Sequence, residues 1–227
     1  MESNQEVQIS ANAITLFTDS YEQNKQRIEK EQPEFESKSS LVEISACLKY
    51  LISQTRDNNT SKSVVQIPNI VKSLITLSTF RIGTHLRKEI DLQRIEVRHW
   101  SRKCLWSIQG DGDAQVQSEL VNVEYGRVMT ITISTAGGKG EEQDQEIHNG
   151  LFSISRFLTE LHDGRNDWYT SFQPLPLLVP VSLEQIEDEG ANEEIEVQMN
   201  NKGDDGDIKY WANDAKAAAL NHFIHSN

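Results

Sequence analysis

Apolar residues return every third or fourth position through most of the first hundred residues. That period restricts those stretches to amphipathic helices. Ile14, Phe17, Tyr21 and Ile28 keep it, which predicts a helix over 10–31 ended by Pro33. After a polar stretch at 32–40, Leu41, Ile44, Leu48 and Leu51 repeat the spacing, and Ser40 with Glu43 three residues on reads as a capping box. A polar loop at 56–63 separates this helix from a third, with Pro68 in its first turn. Ile70, Val71, Leu74, Ile75, Leu77 and Phe80 lie on nearly every side of that third helix, so it is predicted to be buried and central. Gly83 then interrupts the pattern.

Residues 84–103 fit two periods. As a helix, Ile82, Leu86, Ile90, Val97 and Trp100 share one arc while Arg87, Arg94, Arg98 and Arg102 share another. As a strand, Ile95, Val97 and His99 alternate with Arg94, Glu96 and Arg98. The helix reading lines up more residues and is preferred.

From 104 the spacing shortens to two. Leu105 to Ile108 reads as a strand closed by the turn at 110–113. Val121, Val123 and Tyr125 alternate with polar residues, and 128–135 is rich in β-branched residues. Gly126-Arg127 between them matches a type II′ hairpin turn. A loop at 136–145 precedes a helix over 146–163, carried by Ile147, Leu151, Ile154, Leu158 and Leu161 and capped by Gly164. The three prolines of the run at 174–180 predict an extended segment over 165–183. Residues 184–207 carry ten acids and one Lys and are expected to be largely disordered. A terminal helix over 208–225 shows Ile208, Trp211, Ala215, Ala219 and Phe223 on a shared side.

The expected fold class is therefore α+β: an N-terminal helical half, a small antiparallel β-meander, a packing helix and a C-terminal tail helix. Three regions follow: helical residues 1–103 with a basic segment at 81–103; a hairpin or meander with the helix 146–163 over 104–183; and an acidic linker with terminal helix over 184–227.

Charge divides the chain differently. The 227 residues carry a formal −13, yet residues 44–103 hold eleven Lys and Arg against four Asp and Glu. A general basic coating for nucleic acid is excluded, while one local anion-binding face is not. Arg87, Arg94, Arg98 and Arg102, with Trp100 beside them, are the candidate residues: guanidinium binds phosphate bidentately and an indole stacks on a base. The plainer reading is a solvated helix face paired locally with Glu89, Asp91 and Glu96. Trp211 and Phe223 are the candidate partner-binding residues, on a terminal helix that docks either on another subunit or on its own domain.

Known catalytic and metal-binding patterns fail one by one. GGKG at 137–140 lacks the hydroxyl residue after Lys139 that a phosphate loop requires. The loop from Asp111 has Asn122 where a calcium loop needs Glu. The six histidines form no zinc-binding spacing, His222 and His225 have no third ligand nearby in sequence, and no Gly-x-Ser-x-Gly elbow exists. Cys47 and Cys104 read as reduced, buried structural thiols. No apolar run reaches membrane-spanning length and the N-terminal ten residues have no signal-peptide pattern. The expectation is a non-enzymatic structural or adaptor subunit of a larger protein assembly, contacting partners through terminal helices and a charge-asymmetric surface, cytoplasmic or nuclear rather than secreted. No cofactor and no metal are expected, and the partner is a protein or a second copy. The alternative is a nucleic-acid-binding nucleoprotein or coat-like subunit using the arginine face 87–103.

Overall fold

A computed structural model describes residues 2–24, 36–54, 63–85, 87–136, 144–166, 170–201 and 207–225. Of these, 81% are helical and 1% are in strand. The chain divides into two compact units, Met1–Gly112 and Asp113–Asn227. That division also sorts the charge: fifteen Lys and Arg meet fourteen Asp and Glu in the first unit, against seven and twenty-one in the second.

The first unit holds α1 (Glu2–Asn24), α2 (Lys38–Gln54), α3 (Ile70–Ser78) and α4 (Lys88–Asp111), with one helical turn at 63–65. Helix α1 packs on α2 and α3, and α4 packs on α2 and α3, so the four close a ring. Its core takes Ile14 and Phe17 from α1, Leu41, Leu48 and Leu51 from α2, and Ile70, Leu74 and Leu77 from α3. Val97, Leu105 and Ile108 come from α4. Phe80 closes the end of α3, edge-on to Phe17 at 5.7 Å and to Tyr21 at 4.8 Å. The predicted apolar residues of the first three helices are buried as expected except Ile75, which is half-buried; Ile28 and Pro33 fall outside the described residues. The cap of α2 differs. The helix starts at Lys38, and it is the Ser37 hydroxyl that accepts from the Ser40 amide at 3.2 Å.

The second unit holds α5 (Ala114–Asn122), α6 (Tyr125–Ala136), α7 (Asp144–Asp163), α8 (Leu178–Glu187), α9 (Ala191–Gln198) and α10 (Asp207–His225). Helix α7 is its centre: α6, α8 and α10 all pack against it. Ile147, Leu151, Ile154, Leu158 and Leu161 of α7 are buried, as their spacing predicts.

The β-meander is overturned, and with it the α+β class: among the described residues no sheet exists, only an isolated bridge between Arg165 and Phe172. Residues 104–108 continue α4, because Ser101, Cys104, Leu105 and Ile108 already keep the helical spacing and are buried. Asp113 starts α5, its carboxylate accepting from the Val116 amide at 3.3 Å. The β-branched run 128–135 lies in α6. Burial of Val128, Met129, Thr132 and Ile133 outweighs the small helix penalty of β-branching. The Thr132 hydroxyl returns to the Val128 carbonyl at 2.8 Å. The break before α6 falls at Glu124, with φ of 64°. Gly126 is no hairpin turn: a Cβ there would stand 3.1 Å from the Ser182 carbonyl, so its bareness lets α8 lie close.

Two expectations after residue 164 fail as well. Pro180 sits in the first turn of α8, where an amide has no intrahelical acceptor, so the proline run does not forbid a helix. The acidic stretch is ordered over α8 and α9, where Val179, Leu183, Ile186, Ala191, Ile195 and Gln198 are buried at helical spacing. Apolar spacing prevails there over acid content. Residues 202–206 lie outside the described part. Among the described residues no helix is long and apolar enough to cross a membrane.

Gly164 ends α7 with φ of +77°, and a Cβ there would meet the Phe172 carbonyl oxygen at 2.6 Å and Pro174 N at 2.9 Å. Left-handed strain costs a non-glycine residue about 1–3 kcal/mol before any clash is counted. Gly164→Ala is therefore expected to destabilise more than Gly83→Ala, whose φ of +74° comes with open space around it. Urea unfolding followed by circular dichroism checks this; equal losses would contradict the close approach at Gly164.

Candidate partner-binding face

The arginine row lies on α4, and three of its four members point inward. Arg94 and Arg98 are each 2% exposed, and Arg102 is buried too. Each donates to a main-chain carbonyl at or beyond the C-terminal end of α3. Arg102 Nε reaches the Ser78 oxygen at 3.1 Å, Arg98 Nη1 the Phe80 oxygen at 3.0 Å, and Arg94 Nη1 the Thr84 oxygen at 3.1 Å. A helix end leaves carbonyls without intrahelical donors and a partial negative charge, so cations four residues apart on a neighbouring helix satisfy both.

Arg94 also carries the buried ion cluster of this unit. Its Nη2 donates to Glu36 at 2.7 Å, and Glu36 is wholly buried. Arg81 reaches the other carboxylate oxygen through Nε at 2.8 Å and Nη2 at 2.6 Å. One carboxylate thus bridges two guanidiniums, one from α4 and one from the turn after α3. Arg81 further lies over the Tyr21 ring at 5.3 Å, and burial pushes the Tyr21 hydroxyl above its ordinary pKa. These arginines do not present the open phosphate-binding face that their spacing suggested. Arg87 stands at the start of α4, exposed, its carbonyl accepting from the Ile90 and Asp91 amides.

The outward side of α4 is a different surface. Leu92 is 53% exposed and Trp106 42%, and Val42 of α2 is 47% exposed. Two ion pairs join α2 to α4 on this side: Lys38 with Glu89 at 3.0 Å, and Lys49 with Glu96. The Lys38 hydrogen bond and charge hold the Glu89 carboxyl below the usual carboxylate range. Val42 lies on the line of Lys38 and Lys49 along α2, and Leu92 on the line of Glu89 and Glu96 along α4. Beyond them the half-buried Trp100 ring has the Lys49 ammonium at 5.3 Å and the Lys103 ammonium at 5.1 Å, with His99 edge-on at 5.1 Å. Trp100 belongs to the predicted set; Val42, Leu92, Lys49 and Trp106 do not, because each stands on a polar side of its helix where no apolar period marks it.

The terminal helix is an internal element of its unit. Trp211 packs edge-on against Phe152 of α7 at 4.7 Å and against His148 at 6.0 Å. Ser155 of α7 donates to Asp214 at 2.6 Å, and Lys216 pairs with Glu196 of α9 at 2.7 Å. The Phe223 side chain lies outside the described residues. The terminal helix takes the self-docking course within its own unit.

Both cysteines are free. Cys104 is fully buried and donates to the Leu48 carbonyl at 3.4 Å; burial raises its thiol well above the ordinary value. Half-buried Cys47 is raised by burial and then by the Glu43 charge. Among the described residues no group of three or more His, Cys, Asp and Glu is placed to hold a metal ion. Compared with known proteins, the chain matches no family model, no curated protein and no solved structure.

Removing one member of a buried ion pair typically costs about 3–5 kcal/mol, because the other charge stays buried. Arg94→Ala should lower the urea midpoint of the first unit accordingly, whereas Lys38→Ala, which breaks an exposed pair, should leave it close to the parent value. The thiols give a separate check. At pH 7.5 a thiol reagent should label Cys47 first and Cys104 only on unfolding, since a raised pKa leaves little thiolate at that pH. Labelling of both at one rate in the folded protein would contradict the burial.

Proposed function

We propose that this chain is a non-enzymatic structural or adaptor subunit of a larger protein assembly, and that it contacts a protein partner through the outer face of α2 and α4. The observation that carries the reading is the exposure of Val42, Leu92 and Trp106 on that face, beside an indole flanked by two ammoniums. Fully burying an exposed large apolar side chain contributes about 1.5–3 kcal/mol, and these three, each about half exposed, would contribute a part of that. Tryptophan is among the residue types that concentrate binding energy at protein interfaces. The competing nucleic-acid reading loses its support: Arg94, Arg98 and Arg102 are engaged by carbonyls, and Arg94 by Glu36 as well.

A reducing compartment, cytoplasm or nucleus, is part of the same proposal. Its support is two free cysteines, one of them wholly inside a helical core.

The test is the size of the native particle. Full-length protein carrying a small tag, expressed in the cells that naturally contain it, should elute as part of a complex well above its own 25.8 kDa. Leu92→Glu should release it to monomer size without changing its circular dichroism. Elution at monomer size for the parent protein would refute the adaptor reading.

A further inference from the structure

We infer that the outer face of α2 and α4 receives an acidic amphipathic helix of a partner protein. The inference rests on the adaptor reading and names the chemistry of the partner at that same face.

The shape of the face comes from helical spacing. Val42 lies four residues after Lys38 and seven before Lys49, and Leu92 lies three after Glu89 and four before Glu96. The two ion pairs bracket this aliphatic step from either end. Further along α4 come Trp100 with its two ammoniums, then exposed Trp106. From Leu92 to Trp106 is about 21 Å along a helix at 1.5 Å per residue, the length of four turns of an occupant helix.

The charge of the face selects the occupant. Lys38, Lys49, Arg87, Lys88 and Lys103 stand there against Glu89 and Glu96, in a chain whose formal charge is −13. Both carboxylates already hold a lysine, and the Lys103 ammonium faces an indole rather than an acid. A segment with aliphatic residues on one side and acids along its flanks would bury Val42 and Leu92 and set its carboxylates beside Lys49 and Lys103.

Other occupants fit less well. A phosphate backbone would leave Val42 and Leu92 uncovered. A second copy pairing this face with itself would oppose like charges.

The experiment titrates the full chain against a fluorescein-labelled synthetic helical peptide of about four turns, with leucines on one side and glutamates on both flanks, read by anisotropy. Two further probes are the same peptide with lysines for glutamates and a labelled single-stranded oligonucleotide. Expected are binding of the acidic peptide at least tenfold tighter than of the basic one, and weakening as salt rises. A Lys49→Glu, Lys103→Glu double variant and a Val42→Ala, Leu92→Ala double variant should each lose tenfold or more with unchanged circular dichroism. Equal binding of both peptides, binding of the oligonucleotide alone, or no binding of the acidic peptide overturns the inference. So does light scattering that shows the chain alone forming an oligomer dissolved by Leu92→Glu. The two readings are separable: loss of the native complex on Leu92→Glu with no binding of the acidic peptide excludes the acidic helix and keeps the adaptor reading, whereas a parent chain eluting at monomer size refutes the adaptor reading itself.

Discussion

The first unit depends on one set of contacts, the guanidiniums of α4 against the end of α3. Helix α3 runs only from Ile70 to Ser78 and is apolar on almost every side, so its final carbonyls finish inside protein rather than in water. A buried carbonyl without a donor costs free energy comparable to a lost hydrogen bond. Arg102 supplies a donor to Ser78, the last residue of α3, and Arg98 and Arg94, taken backwards along α4, do the same for Phe80 and Thr84 as the chain leaves the helix. The turn that follows is bent through Arg81 and Gly83, both with positive φ, and Arg81 closes it by reaching back to Glu36. The short central helix, the tight turn and the long α4 are thus one construction.

The second unit is organised by close backbone approach instead. Helix α7 receives neighbours on several sides, and glycines stand where they come nearest. A Cβ on Gly150 would lie 2.6 Å from the Ile133 Cγ2 of α6, and the bare Gly126 of α6 faces α8. At the end of α7 the Glu160 carboxylate gathers Arg156 at 2.7 Å and Arg165 at 2.5 Å, and Arg165 lies over Phe172 at 5.0 Å. The loop between α7 and α8 is thereby tied to the helix it leaves.

How much of this could be read from sequence follows from what each residue type signals. Leu41, Ile44, Leu48 and Leu51, or Ile147 through Leu161, announce a helix and its inner side at once, because apolar period and burial coincide. The arginine row kept its period but hid its direction. A charged line reads as an outward face, and only the buried carbonyls at the end of α3, set by tertiary packing, turn it inward. Glu36 was invisible for the same reason, as an acid in a polar stretch whose two partners lie 45 and 58 residues away. Residues 128–135 failed on propensity: eight residues rich in Thr, Ile and Val resemble a strand until the burial of Met129 and Ile133 at a four-residue interval is given more weight. At the outer face of α2 and α4, Trp100 was legible as a chemically distinctive residue. Val42 and Leu92 were not, since an isolated aliphatic residue on a polar side carries no period of its own.

The sorting of charge by unit has a colloidal consequence. With fifteen cationic and fourteen anionic residues the first unit is close to neutral, and the repulsion that keeps copies of the chain apart comes almost wholly from the second. Near-neutral surfaces bearing exposed tryptophan and leucine are the ones that coalesce, while a large excess of carboxylates opposes coalescence through self-repulsion and hydration. The acidic helices α8 and α9 thus belong to a built-in solubilising charge carried on the same chain as the near-neutral unit. Ionic strength, which shortens the range of that repulsion, therefore sets how concentrated the whole chain becomes in solution.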